Sequence, residues 1–439
     1  MSFAVCIRLA SRLLGAWAVT WMASTSAHAQ AAGSVQAEGD TGIALGEETG
    51  ARLHLGADAG VGFDTNPYTT PLATGDFNGD AVVRIRPYVE AAMPGATLGL
   101  RGRAAFDYGF LPGVVNPETR AFLLYQGMAS GDLDWNRGGA VNFSVGDSVS
   151  LNTDPGVVAL GTLLSRVNNQ LRVGVGVVPG GGTLRLRFQV MSTLIHFFAD
   201  NTESALLKDG LLDSLANSLS ARADYRFLPK TGFFGELRAG WQLYPFARRD
   251  VPQAFPLAAI VGVQGKVLAK LSGLASLGYE NPLVFNAAGL QTAGVFGLSG
   301  QVEAQWQPLP TTTIAGGYRR NFDPIALYQY MGQNKFYFQG SHLFGVTNVS
   351  LAAAWNLIEY GAEETGGDAL TDRQTGRFDQ ALSLSARAAY FVLPWLSVGV
   401  SNSTDWRITN ANDVSAQDAE PLNLSYLRNE TMLVASARY

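Results

Sequence analysis

From about residue 51 to Tyr439 the chain repeats one pattern, in which apolar and polar residues alternate along a stretch that then ends in a turn. Leu184-Arg185-Leu186-Arg187-Phe188-Gln189-Val190 shows it, and Leu396-Ser397-Val398-Gly399-Val400-Ser401 repeats it. A period of two sends alternate side chains to opposite faces of a strand. In a soluble sheet the apolar face meets a protein core. In a membrane barrel it meets lipid while the polar face meets the lumen. Length separates the two cases: ordinary strands run about 5–6 residues, whereas a tilted strand that crosses a bilayer needs about 9–11. The stretches here have the membrane length. They predict an all-β fold, a transmembrane antiparallel β-barrel over residues 51–439.

The ends agree with that destination. Residues 1–29 read as a cleavable signal peptide: Arg8 and Arg12 give a positive start, Leu13 through Ala23 an apolar stretch, and Ala27-His28-Ala29 a small-x-small cleavage site. Cys6 precedes the apolar stretch, so it does not mark a lipoprotein, and the mature chain has no cysteine for disulfides or thiolate metal sites. Residues 30–50 are small and polar and read as a short flexible periplasmic lead-in. After the signal, no window approaches the roughly 20 apolar residues that a membrane helix needs, although 47% of the chain is hydrophobic and only 15% charged. Without Arg8 and Arg12, 29 basic residues face 36 acidic ones. That balance leaves no footprint for nucleic acid.

Alternation and turn residues together mark eighteen strands: 51–63, 81–92, 96–110, 119–130, 139–151, 163–178, 183–196, 215–227, 232–244, 255–267, 270–280, 291–306, 311–321, 326–339, 345–358, 377–391, 395–408 and 422–439. Every second connection is mostly tight, as in Met93-Pro94-Gly95, Pro229-Lys230-Thr231 and Leu393-Pro394, and the others are mostly longer. Bacterial barrels have short periplasmic turns and long outer loops, so this rhythm predicts an integral protein of the cell outer membrane with both termini in the periplasm. Residues 203–219 are less strand-like and could form a short helix in an outer loop, folded inward or lying outside. The last strand carries Leu433, Ala435, Ala437 and a terminal Tyr439, resembling the C-terminal signal read by the barrel-assembly machinery of Gram-negative bacteria.

The phase of each strand assigns its faces. Leu98, Leu100, Leu184, Leu186, Phe188, Val190, Leu382, Leu384, Leu396, Val398 and Val400 take the lipid phase, next to outer-membrane lipid and lipopolysaccharide. Phe106, Tyr108, Trp241, Tyr244, Trp306, Tyr390, Trp395 and Trp406 recur near strand ends, where rings favour the headgroup zone. The opposite phase carries Arg84, Arg86, Arg101, Arg103, Arg166, Arg172, Arg185, Arg187, Arg222, Arg226 and Arg238, with Glu90, Asp107, Asp224 and Glu236. Each arginine would cost about 2–4 kcal/mol facing lipid near the midplane, so this set points inward and lines the pore. It can be an Arg–carboxylate lattice that stiffens the wall, a cationic lumen that attracts anions, or both.

Catalytic chemistry finds little to work with. His54, His196 and His342 sit on separate segments without a neighbouring acidic or second-histidine motif, and Ser192 would share the strand face of His196. Asp76-Phe77-Asn78-Gly79-Asp80 has the oxygen-rich spacing of a calcium loop but lacks its later glycine and distal glutamate, and it reads better as a hairpin-loop turn. The expectation is a non-enzymatic barrel with no cofactor and no metal.

Gly62-Phe63-Asp64-Thr65-Asn66-Pro67-Tyr68 ends the first strand and Arg84-Ile85-Arg86-Pro87-Tyr88 follows in the second. Together they resemble the start of the Putative beta-barrel porin 2 family, with Phe63 and Thr65 departing from its usual tyrosine and aspartate. The resemblance implies a barrel beside a polysaccharide-export system, with a periplasmic polysaccharide-export protein as partner and polymer as cargo. A diffusion porin for small hydrophilic solutes and a structural or adhesive barrel are the rival expectations.

Overall fold

A long strand with one apolar face cannot stand alone in lipid, because each free edge exposes a row of unpaired N–H and C=O groups. Closing the sheet on itself removes the edges. The computed structural model shows that closure, and it describes residues 43–45, 50–67, 69, 72, 79–95, 97–112, 122–152, 165–198, 213–247, 253–285, 291–293, 297–325, 328–361, 377–410, 412–413, 422–423 and 425–439.

Eighteen long strands form the wall. The first six are β1 (Arg52–Asp64), β2 (Asp80–Pro94), β3 (Leu98–Leu111), β4 (Phe122–Trp135), β5 (Val141–Asn152) and β6 (Ser165–Val177). The next six are β7 (Leu184–Phe198), β8 (Ser214–Leu228), β9 (Thr231–Leu243), β10 (Leu257–Leu268), β11 (Leu271–Asn281) and β12 (Gly297–Trp306). The circuit continues through β13 (Thr312–Ile325), β14 (Tyr328–Phe344), β15 (Thr347–Tyr360), β16 (Phe378–Leu393), β17 (Leu396–Thr409) and β18 (Tyr426–Arg438). Each strand pairs antiparallel with its sequence neighbours. β18 completes the ring, with Leu433 opposite Val400 of β17 and Val61 of β1. All eighteen expected strands are present.

The connections alternate as the turn residues predict. One end of the barrel carries tight turns, such as Pro229-Lys230 between β8 and β9 and Gly345-Val346 between β14 and β15. Arg52 and Arg438 lie at this short-turn end, where Leu55 and Tyr439 exchange backbone hydrogen bonds of 3.0 and 2.8 Å. The longer loops occupy the other end, where Gln253–Ala254, Val284–Phe285 and Gln291–Ala293 extend the sheet as short paired pieces.

Three local expectations change. The short helix that residues 203–219 could form is not found over 214–219, where β8 has already begun and Leu215 to Leu219 pair with β9, as the strand marked from 215 requires. Residues 203–212 lie outside the described residues. The strand expected at 291–306 begins at Gly297, and Gln291–Ala293 is a separate piece paired with Val284–Phe285. In the expected lead-in, Ile43–Ala44 pairs with Leu53 and Arg52 at the foot of β1. The expected signal peptide and most of the remaining lead-in lie outside the described residues.

Candidate functional site

Pairing in register forces alternate side chains to opposite faces, and the two faces differ in kind. One carries the exposed apolar set: Val61 and Phe63 on β1, Val83 and Ile85 on β2, Leu98 and Leu100 on β3, Phe188 and Val190 on β7, Leu384 on β16, Val398 and Val400 on β17. The other is concave. Asp58, Arg86, Asp107, Ser350, Arg387 and Ser403, drawn from six strands of one arc, line a single hollow on it. The apolar face is therefore outside and the charged face inside. The expected lipid set sits on the outer face without exception.

The structure places all eleven arginines singled out in the sequence on the inner face, but it divides them by what they touch. Arg84 reaches Asp107 at 3.5 Å and Glu430 at 2.7 Å, and Arg86 shares Asp107 through its Nε at 3.2 Å. Arg172 lies 3.5 Å from Asp132. Arg187 and Arg222 both hold Asp224, at 2.8 and 2.9 Å, while Arg222 and Arg238 hold Glu236 at 3.5 and 2.7 Å. Arg166 shares the inner phase of β6 with Arg172. Arg101, Arg103, Arg185 and Arg226 make no ion pair with a carboxylate among the described residues, although Arg103 lies 5.8 Å over the Tyr88 ring. The expected lattice is thus real over part of the wall only.

The densest part of the lattice escaped the sequence reading, because its members lie far apart along the chain. At the long-loop end, Asp379 is 0% exposed and binds Arg377 (2.9 Å), Arg407, Thr409 and the Tyr360 hydroxyl (3.0 Å). Arg377 lies 4.4 Å over the Tyr360 ring. Asp64, also 0% exposed, pairs with Arg428 of β18 at 2.8 Å. Its other oxygen accepts from the Asn66 backbone at 3.0 Å, and Asn66 Nδ2 donates to the Leu427 carbonyl at 3.1 Å. Thr65 and Asn429 exchange two further hydrogen bonds, of 2.9 and 2.8 Å. The Gly-Phe-Asp-Thr-Asn-Pro stretch is therefore a clamp between the first and last strands. Gly62 belongs to it, since a Cβ there would meet the Thr431 carbonyl oxygen at 2.1 Å.

Aromatic and histidine side chains refine the picture. Phe106, Tyr108, Trp241, Trp306, Tyr390, Trp395 and Trp406 are exposed, as a girdle requires. Tyr244 differs: it lies past the end of β9, and Gln242, on the inner face, donates to its hydroxyl at 3.0 Å. Inside, Tyr337 donates to Glu303 at 2.5 Å and the Arg222 guanidinium covers Phe234 at 3.8 Å. His196 has an acidic neighbour that the sequence reading missed, Asp213, at 2.8 Å across the β7–β8 loop. His342 meets the Thr312 hydroxyl at 2.6 Å. Among the described residues, no three His, Cys, Asp or Glu side chains converge as metal ligands would. Of the calcium-like stretch, residues 76–78 lie outside the described residues, and Asp80 opens β2 with its carboxylate on the Ala81 N–H at 2.8 Å.

The outer face carries a polar island on its last two strands. Asn402 and Thr404 on β17 and Asn429 and Thr431 on β18 bond one another, with Asn402 to Thr431 at 2.7 Å and Asn429 to Thr404 at 2.6 Å. Val400 and Leu433 lie below it, and Trp406 and Leu427 above. Polar groups in lipid must find partners within the protein, and these four find them in one another.

The family model described as Putative beta-barrel porin 2 matches residues 53–420. No curated protein matches the sequence. Among solved structures, the chain is similar to the siderophore receptor PirA from Pseudomonas aeruginosa, at 10% identity and a TM-score of 0.39 over 88% of this chain and 80% of that one. It is similar also to the FrpB iron transporter from Neisseria meningitidis (F5-1 variant), at 9% identity and a TM-score of 0.44 over 88% and 81%.

Proposed function

The chain belongs to the Putative beta-barrel porin 2 family, and from that premise we propose that this outer-membrane barrel is a passive aqueous conduit for the export of a secreted polysaccharide. The short-turn end faces the periplasm in this reading, as in bacterial barrels generally. A periplasmic polysaccharide-export protein delivers polymer there, and the barrel-assembly machinery reads the last strand through Leu433, Ala435, Ala437 and Tyr439. No chemical step is assigned to the barrel.

One observation carries the reading: the polar contacts of the inner face are distributed. A hydrated polymer must slide without being held, so it needs many weak contacts around a wide bore instead of one affinity site. Gln189, Gln301, Glu303, Gln305, Ser383 and Ser385 share the inner phase on three strands, among arginines on many others. Gln301 donates to Glu303 at 3.2 Å and Ser383 to Asp405 at 2.7 Å, so several of these groups are satisfied before any sugar arrives. Deleting the gene is expected to abolish surface polysaccharide and leave uptake of small solutes unchanged. Normal export combined with reduced uptake of a small anion would assign the barrel to diffusion of small solutes instead.

A further inference from the structure

Resting on the conduit reading, we propose that the short-turn mouth of the barrel is a cationic collar that captures a polyanionic glycan, one bearing carboxylates along its length. The inner-face cations divide by position. Towards the long-loop end and the middle of the wall, Arg84, Arg86, Arg187, Arg238, Arg407 and Arg428 all hold carboxylates. Close to the tight turns, Arg101, Arg185, Arg226, Lys230 and Lys266 are exposed and make no ion pair among the described residues. Unpaired positive charge is therefore densest at one mouth, although Arg103, Lys335 and Arg387 nearer the middle of the wall also make no ion pair among the described residues.

Register explains why these cations stay free. Arg185 lies directly opposite Asp224, and Arg101 directly opposite Asp132. Each carboxylate is already engaged: Asp224 binds Arg187, Arg222 and Gln264, at 2.8, 2.9 and 3.1 Å, and Asp132 lies 3.5 Å from Arg172. On β7 to β9 the arginines Arg185, Arg187, Arg222, Arg226 and Arg238 outnumber the carboxylates Asp224 and Glu236, and the two left without an ion pair, Arg185 and Arg226, fall at the turn end. There a hollow of about 500 Å³ is lined by Arg185, Arg187, Arg226 and Lys230, with Gln264 and Gln305 as neutral donors. Two carboxylates, Asp224 and Glu303, also line it. Asp224 is engaged as above, and Glu303 accepts from Tyr337 at 2.5 Å and from Gln301 at 3.2 Å. The hollow offers an anion several donors and a net positive field, focused by the low-dielectric wall.

Beyond the collar most of the inner-face arginines hold carboxylates, so an anionic chain drawn in meets a surface that grips it less. Capture at the entrance followed by release into a balanced bore gives direction to loading without a tight site. A neutral polymer would gain nothing from this arrangement.

The test measures binding of a labelled oligogalacturonate to the full-length barrel in zwitterionic detergent, at low and high salt, with a dextran oligomer of equal length as the neutral probe. The wild type is expected to bind the uronate, to lose it as salt screens the field, and to ignore dextran. The triple variant Arg185→Gln, Arg226→Gln, Lys230→Gln should bind about tenfold or more weakly, since electrostatic focusing of this kind is worth about 10–1,000-fold. Arg185→Lys with Arg226→Lys keeps the charge and should retain binding. Equal binding by the glutamine variant, equal binding of dextran, or equal loss in the lysine variant would each overturn the collar. Its failure is separable from that of the conduit. A deletion strain that loses a neutral surface polymer keeps the conduit and removes the collar, whereas uronate capture beside unchanged surface polymer does the reverse.

Discussion

Burial decides what an ion pair in this barrel is worth. Arg137 and Asp134 meet in an exposed turn, with 63% and 30% of their side chains open to solvent. Exposed pairs of this kind contribute about 0.2–1 kcal/mol. Asp379 is fully enclosed, and its partners Arg377 and Arg407 are 5% and 6% exposed. Removing that carboxylate strands two buried cations, a loss of about 3–5 kcal/mol. Asp379→Ala should therefore shift the urea midpoint of the refolded barrel strongly, while Asp134→Ala barely moves it. Equal effects would mean that the Asp379 site takes up water and is not dry. The same reasoning gives Asp64 its place. It joins strands at opposite ends of the chain, so it contributes nothing until the barrel closes.

At the scale of the strand, phase is the controlling variable. Arg185 and Leu186 are neighbours in β7, yet one faces the inner wall and the other the outer. Leu186→Arg puts a guanidinium into lipid at a cost of about 2–4 kcal/mol near the midplane. Arg185→Glu with Arg187→Glu changes the lumen field, and among the described residues the only ion pair it removes is Arg187 to Asp224. Folded yield, read from the mobility shift between heated and unheated samples, should drop for the first variant and hold for the second. A reversed order would mean that the register of β7 is off by one residue. The polar island on β17 and β18 breaks the rule of the outer phase, as do Asp147 with Asn169 on β5 and β6 and Arg320 with Asn334 on β13 and β14, each time with groups that bond each other.

For the whole molecule, eighteen strands enclose a space larger than side chains alone can fill, since about eight are enough to hold a side-chain core. That width leaves room for an aqueous path, which conductance measures. Purified barrel in planar bilayers is expected to give a stable, weakly voltage-dependent conductance, with anions favoured when the collar is intact. Replacing Arg101, Arg103, Arg185 and Arg187 by glutamate should move the selectivity towards cations. A folded barrel that stays electrically silent would point to an obstructed bore and a structural role.

The sequence by itself determined the strand count, the two faces and the alternation of short and long connections. All of these follow from local rules, a period of two and the chemistry of turns, and a single strand displays them. Arg185 points inward whatever surrounds it, because Leu184 and Leu186 must point out. What only the tertiary structure decided is which charges meet. Asp64 and Arg428 lie hundreds of residues apart, and Asp379 gathers partners from two strands and a loop. Gln291–Ala293 belonged to a single expected strand and became a separate piece through its pairing with Val284–Phe285. Above all, an arginine in the sequence is only a positive charge on a known face. Whether it is neutralised within the wall or left free at the mouth depends on register and on competition for each carboxylate, and both are properties of the closed sheet.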